Sequence, residues 1–175
     1  MLLIINELLA LGTLLTNIGI VVVLALLVYP KTRSLIIRLG KTYGLLLAFV
    51  IAVVSTGMSL YYSEIAGFAP CVLCWWQRIF IYPQVILLGL ALWKKENKII
   101  DYAIPVLIPG LIVSIYQVAL QFGVSDVLDC TAVGPSCDAR YVYEYGYITI
   151  PVMALTALIA MLGLLLLART PENKA

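Results

Sequence analysis

Apolar residues dominate five runs of the chain, and charged or turn-forming residues separate these runs. The runs are Leu2 to Val28, Tyr43 to Tyr62, Val72 to Trp93, Ile99 to Phe122 and Ile148 to Ala168. Because a helix needs about 20 apolar residues to cross about 30 Å of hydrocarbon, each run is long enough to span a membrane. A transmembrane β-barrel would show short alternating strands instead. The pattern predicts an all-α, polytopic membrane bundle of five helices.

The composition agrees with a membrane protein. The 175 residues are 63% hydrophobic and only 11% charged, with a mean hydropathy of +1.08, which is far more apolar than a soluble domain. The first run has no basic segment before it and no small-residue cleavage site after it, so we interpret it as a retained helix rather than a secretory signal. We expect membrane lipid around the protein and no nucleic-acid partner.

The basic residues predict how the five spans are oriented. Nine of the eleven fall on one side of a five-span arrangement: Lys31, Arg33, Arg38, Lys41, Lys94, Lys95, Lys98, Arg169 and Lys174. Because short loops rich in Lys and Arg stay in the cytoplasm, the amino terminus is predicted outside and the carboxyl terminus inside. All four cysteines, Cys71, Cys74, Cys130 and Cys137, then lie on the outer side, where thiols meet an oxidising environment.

Cys71 and Cys74 form a CxxC motif at the start of the third run. Pro70 suits the beginning of a helix, so we expect Cys71 in its first turn, where free N–H groups and the helix dipole stabilise a thiolate. Arg78 follows four residues after Cys74 and shares a helix face with both cysteines. It is predicted to stabilise a thiolate or a reduced ligand, although snorkelling to lipid phosphate is the alternative. Gln77 is either a site residue or a helix-packing residue.

The second cysteine pair, Cys130 and Cys137, lies in the long loop before the last run. Gly134-Pro135 between them is a strong turn signal that lets two thiols meet. Alone, such a disulfide is a structural staple, but two pairs in one compartment can exchange electrons. Two non-enzymatic alternatives stay open: a zinc site of four thiolates, or two structural disulfides in a transport or scaffold protein. The chain has no histidine, which excludes His-containing metal sites, and we expect no metal.

These residues together resemble the DsbB family of disulfide bond formation proteins, in particular its short-loop members. The resemblance rests on Cys-Val-Leu-Cys-Trp-Trp-Gln-Arg at residues 71–78, the Tyr82-Pro83 that follows, the later cysteine pair, and Thr149-Ile150-Pro151 at the last run. It covers about Lys41 to Ala168. It implies a four-helix oxidoreductase core over residues 41–169, preceded by an additional helix and cytoplasmic loop (1–40) and followed by a cytoplasmic tail (170–175).

The resemblance also implies the activity. The protein would be a thiol:quinone oxidoreductase of the prokaryotic cytoplasmic membrane that reoxidises an extracytoplasmic thioredoxin-like oxidase of the DsbA type. Cys130 would be attacked by the partner's thiolate, and Cys137 would pass the electrons to Cys71 and Cys74. Cys74, Arg78 and Gln77 would face the quinone, either ubiquinone or menaquinone. The physics is compatible, since one pair is expected to face water on a mobile loop and the other to face lipid.

One related enzyme class remains as an alternative. Quinone reductases of the vitamin K epoxide reductase type use similar two-pair chemistry, but their loop pair precedes the CxxC, whereas here Cys71 and Cys74 come first. This chain differs from the usual DsbB pattern in its extra first span and in the six residues that separate Cys130 from Cys137.

Overall fold

The computed structural model describes residues 2–125 and 135–169. Within these ranges the chain forms five long helices and no strand: α1 (Leu2–Val28), α2 (Pro30–Leu60), α3 (Val72–Lys94), α4 (Ile100–Gln121) and α5 (Ile150–Arg169). A π-helical turn, Tyr61–Ile65, extends α2, and a 3₁₀ turn, Asn97–Ile99, precedes α4. All five helices are long and apolar enough to cross a membrane, so the prediction of a polytopic all-α bundle is confirmed.

The connection between α1 and α2 differs from the predicted loop. Only Tyr29 separates the two helices, and its extended backbone (φ −85°, ψ 118°) is the conformation favoured before a proline. Pro30 then begins α2, where a missing N–H has no cost. The basic residues between positions 31 and 41 therefore lie on the first turns of α2. The end of an apolar run shows where the part of a helix suited to hydrocarbon ends. The helix itself can continue beyond that point.

Helices α2 to α5 form a four-helix core. Within it, α2 packs against α3 and α5, and α4 packs against the same two helices. The residues buried at its centre are apolar: Ala48, Ala52, Ile81, Leu88, Ile100, Ala103, Ile104, Leu107, Leu158, Met161 and Leu165. Glycines allow close approach at two contacts, because a Cβ on Gly44 would lie 2.8 Å from the Leu164 carbonyl oxygen and one on Gly110 would lie 2.8 Å from the Phe80 Cβ.

Helix α1 packs on the outside of this core, against α2 and α5. The Tyr62 hydroxyl donates to Asn6 Oδ1 (2.9 Å), and the Thr156 hydroxyl donates to Asn17 Oδ1 (2.9 Å). These bonds agree with the helix-packing role expected of polar residues within the first span.

The helices alternate in direction, which gives the bundle two distinct ends. We call the end formed by the start of α3, the end of α4 and residues 135–149 the cysteine end, since the described cysteines lie there. The opposite end holds the start of α2, the α3–α4 connection and the end of α5. Of the basic residues used above to predict orientation, all those that the structure describes lie at the opposite end.

Candidate active site

The CxxC motif begins α3 at the cysteine end. Cys71 is the N-cap residue, one position before the first turn where we expected it, and its sulfur accepts the Cys74 N–H (3.4 Å). The two sulfurs lie 2.8 Å apart, which compares with about 2.05 Å in a disulfide. The two thiols are therefore close enough to form a disulfide with only a small movement of either side chain, once an oxidant takes up their two electrons and two protons.

Burial and the neighbouring thiol act on the Cys71 side chain. Its hydrogen bond with Cys74 and its burial, with 4% of its surface exposed, raise the pKa of the Cys71 thiol. These two effects oppose the thiolate that the helix terminus is expected to favour at this residue.

A glutamine from α4 contacts both sulfurs. The Gln117 amide nitrogen lies 3.2 Å from Cys71 Sγ and 3.3 Å from Cys74 Sγ. Gln77, one turn along α3, donates from its own amide to Gln117 Oε1 (2.9 Å). Both side chains are buried, at 6% and 2% exposed for Gln77 and Gln117. Gln77 thus makes the helix-to-helix hydrogen bond proposed as one of its two roles, and this bond orients the N–H groups of Gln117 toward the thiols.

Arg78 is held by α2. Its Nε donates to the Ser59 hydroxyl (3.0 Å) and a terminal nitrogen donates to the Ser59 carbonyl (3.1 Å). Tyr82, one turn further along α3, also donates to the Ser59 hydroxyl (3.2 Å). The guanidinium carbon lies 4.9 Å from the centre of the Trp75 ring, within range of a cation–π interaction. Arg78 is therefore held by Ser59 and Trp75, and Tyr82 in turn holds the Ser59 hydroxyl.

Cys137 joins the CxxC pair in one buried cluster. It is only 2% exposed and packs in a cluster with Cys71, Leu73 and Leu120. This position differs from the water-facing loop cysteine that the sequence suggested. The segment that carries it is tied to α4, because Gln121 donates to the Ala139 carbonyl (3.2 Å) and Arg140 donates to the Gln121 carbonyl. Its predicted partner Cys130 and the Gly134 turn lie outside the described residues.

A cavity of about 360 Å³ connects these groups. Its walls are mostly apolar and come from all five helices and from the connections before α3 and α5. The polar or reactive residues that line it include Cys71, Cys74, Gln77, Arg78, Gln117 and Cys137. Its volume falls within the range of about 300–1,000 Å³ that is usual for small-molecule sites. The structure thus brings five of the six predicted site residues, Cys71, Cys74, Gln77, Arg78 and Cys137, around one cavity.

Sequence reasoning missed Gln117 and Ser59 as parts of this site. Both are polar residues within apolar spans, where helix packing is their ordinary role. A signal was present, since Gln77 and Gln117 are amides within apolar spans and such groups need buried partners. The sequence does not show how α2, α3 and α4 are placed relative to one another. That placement brings Gln117 to the thiols and Ser59 to Arg78.

Comparison with known families identifies a matching family for most of the chain. The family model described as "Disulfide bond formation protein DsbB" matches residues 41–168. This range spans α2 from Lys41 through nearly all of α5 and contains all four cysteines, while α1 lies outside it. No solved structure matches the chain.

Individual relatives agree with the family match. A probable disulfide formation protein C of Bacillus cereus is 40% identical over 126 residues, covering 69% of this chain and 88% of that protein. A probable disulfide formation protein C 2 of Bacillus anthracis is 35% identical over 135 residues, covering 77% and 96%. A probable disulfide formation protein of Coxiella burnetii is 35% identical over 136 residues, covering 77% and 92%.

Proposed function

Since the chain belongs to the DsbB family and is an integral membrane protein of disulfide bond formation, we propose that it is a thiol:quinone oxidoreductase. In this proposal it reoxidises a thioredoxin-like oxidase of the DsbA type outside the cytoplasm and passes the electrons to a membrane quinone. The observation that carries the proposal is the shared cavity, in which a CxxC pair and a fixed arginine lie among apolar walls at the end of the bundle that holds Cys137.

The residues of the cavity fit a quinone. Its ring is apolar and its two carbonyl oxygens accept hydrogen bonds, so a suitable site needs apolar walls and a few donors. Val54, Met58 and Ile81 supply apolar wall, and Arg78 carries five N–H donors, of which Ser59 uses two. A bound quinone would supply the oxidant, taking up two electrons and two protons as Cys71 and Cys74 return to a disulfide.

The proposed thiol steps are those that family membership implies, and each is an ordinary thiol–disulfide exchange. The partner's thiolate attacks Cys130 in a Cys130–Cys137 disulfide, which forms a mixed disulfide and releases Cys137 as a thiolate. A second partner thiol displaces Cys130, so the partner leaves oxidised and the loop pair is reduced. Cys137 then attacks Cys71 of a Cys71–Cys74 disulfide and releases Cys74. Cys130 resolves this bond, and both electrons reach the CxxC pair. The packing of Cys137 with Cys71 supports the third step.

Two donors are suited to hold the thiolate that this exchange releases at Cys74. Gln117 directs an N–H toward its sulfur, and Arg78 adds a positive charge in the same cavity. Hydrogen bonds and nearby cations both favour the charged form of a thiol. In this proposal Gln77 positions Gln117, and Ser59 positions Arg78, so neither Gln77 nor Ser59 has to contact the reacting sulfurs.

The proposed orientation places the cysteine end outside the cytoplasm. The described basic residues at the opposite end support it, because positively charged segments remain on the cytoplasmic side. The amino terminus of α1 would then face outward and the carboxyl end of α5 inward, in a bacterial cytoplasmic membrane.

Quinone reduction driven by a reduced thioredoxin-like protein tests the function. Purified protein is mixed with that protein and a soluble ubiquinone or menaquinone analogue, and the quinone absorbance is followed. Mass tagging of free thiols is carried out in parallel with and without quinone. We expect quinone to be consumed and the redox state of Cys71 and Cys74 to follow its addition. If the redox state of neither cysteine pair changed when quinone was added, the oxidoreductase proposal would be wrong. Metal analysis would then test a zinc site.

A further inference from the structure

Helix α1 forms one wall of the cavity that contains the CxxC pair. Five of its residues line that space: Leu8, Leu9, Gly12, Thr13 and Thr16. They lie in the half of α1 nearer the cysteine end. Because α1 lies outside the region matched by the family, this wall is an addition to the four-helix core.

Without α1, the four-helix core would leave the cavity uncovered on the side where α1 packs. At the opposite end α2 and α5 touch closely, with Gly40 and Gly44 against Leu164 and Leu167. Toward the cysteine end the two helices supply cavity wall, from Val50 to Tyr62 in α2 and from Ile150 to Ala160 in α5. Helix α1 contacts both α2 and α5 and contributes the remaining wall on this side.

Two buried or partly buried hydrogen bonds fix the position of α1 on either side of the lining residues. Asn6, before them, accepts from Tyr62 of α2, and Asn17, after them, accepts from Thr156 of α5. Polar pairs within apolar surroundings set the register of two helices, since a shifted helix would leave a polar group without a partner. The wall is therefore held in place at both of its ends, on two different helices.

Gly12 is the position where this wall is thinnest. A Cβ built on Gly12 meets no heavy atom within 4 Å, although the residue lines the cavity. A larger side chain at this position has open space to occupy beside the cavity. Gly19 offers a matched site, because it lies two turns further along the same helix, also has open space around it, and does not line the cavity.

We propose that α1 is a built-in wall of the quinone cavity, and that its Leu8–Thr16 face limits the size of the ring that can reach Cys74 and Arg78. The inference rests on the proposed function for the identity of the ligand. Helix α1 is not part of the four-helix core. Its Leu8–Thr16 face would therefore give this protein a selectivity between benzoquinone and naphthoquinone rings that the core alone does not provide.

The test compares Gly12→Phe with Gly19→Phe in the full-length protein. One measurement is the affinity for a short-chain ubiquinone and a short-chain menaquinone analogue, followed by quenching of tryptophan fluorescence. The other is the rate at which N-phenylmaleimide labels Cys74 in the reduced protein, read by mass spectrometry. We expect Gly12→Phe to weaken quinone binding and slow the labelling by about tenfold, and Gly19→Phe to stay within about twofold of the wild type. Gly12→Leu should give an intermediate effect.

The outcomes separate this inference from the proposed function. If Gly12→Phe and Gly19→Phe behaved alike in both measurements, α1 would not be a wall of the site, whether or not the wild type reduces quinone. If the wild type bound neither quinone but Gly12→Phe alone slowed the labelling, α1 would be confirmed as a wall of the cavity. Quinone would then be ruled out as the proposed electron acceptor. Melting curves of all three variants identify a loss of folding, and in that case Gly12→Leu decides the result.

Discussion

The two ends of the bundle are packed in different ways. At the opposite end, Gly40 and Gly44 bring α2 against α5 so closely that an added Cβ would collide with Leu167 or with the Leu164 carbonyl. At the cysteine end, the same two helices enclose part of a cavity of about 360 Å³. The close contact is made by small and aliphatic residues, whereas the mostly apolar walls of the cavity also carry amides, hydroxyls, thiols and two arginines.

This difference shows how one bundle can hold reactive groups in fixed positions while leaving room for a ligand. The close contact at the opposite end sets the relation of α2 to α5, and hydrogen bonds set the side chains at the cysteine end. Substitutions at the opposite end should therefore change stability, and substitutions at the cysteine end should change chemistry. Four predictions test this division, beginning with the largest effect.

Arg78→Ala should lower the rate of quinone reduction by about a hundredfold, because it removes a fixed cation and several donors from the cavity. Thiol exchange between the partner and the Cys130–Cys137 pair should remain close to normal, as measured by stopped-flow mixing with the reduced partner. Arg78→Lys keeps the charge but loses the paired contact with Ser59, so it should restore part of the rate. An equal loss of both reactions would mean that Arg78 supports the fold instead.

Gly44→Val should reduce the stability of the fold by about 1–3 kcal/mol, since its Cβ would press on the Leu164 carbonyl oxygen. The measurement is thermal or denaturant unfolding in detergent. Gly57→Val is the matched control, because it makes the same change in the same helix at a position with open space. Similar unfolding curves for the two variants would show that the α2–α5 contact does not control stability.

Gln117→Leu should slow the alkylation of the reduced CxxC pair at neutral pH by about tenfold, because the thiols lose a buried hydrogen-bond donor. Rates of iodoacetamide labelling, resolved by mass spectrometry, provide the measurement. Gln84→Leu removes another buried glutamine, one whose donor reaches the Ala103 carbonyl and no sulfur. The idea fails if Gln84→Leu slows the labelling as much as Gln117→Leu does.

Asp101→Asn should have the smallest effect, a loss of stability of less than about 1 kcal/mol. It breaks the ion pair with Arg169 (2.6 Å), whose side chains are 48% and 56% exposed, so water already screens the attraction. Unfolding curves at low and high salt measure the contribution. Quinone reduction should not change, and a change would show that the two ends of the bundle are coupled.

The sequence predicted those parts of the molecule that depend on a single helix. The five apolar runs fixed the number of spans, and the helical period placed Cys74 and Arg78 on one face of α3. The family resemblance over residues 41–168 also followed from local motifs and is confirmed.

Features that depend on two helices or on a loop could not be predicted in the same way. The contacts of Gln117 with the sulfurs and of Ser59 with Arg78 require the register between helices, which no local pattern encodes. The burial of Cys137 depends on the way residues 135–149 fold back onto α4. The start of α2 at Pro30 was missed because charged residues were taken to end a helix, although they only end its apolar part.

The single residue between α1 and α2 has a consequence for the topology of the chain. Because Tyr29 alone joins α1 to α2, and the start of α1 is hydrogen-bonded to the far end of α2, the two helices form an antiparallel hairpin. The direction of α2 then dictates the direction of α1. A helix can therefore be added before the core without reversing the way the core crosses the bilayer.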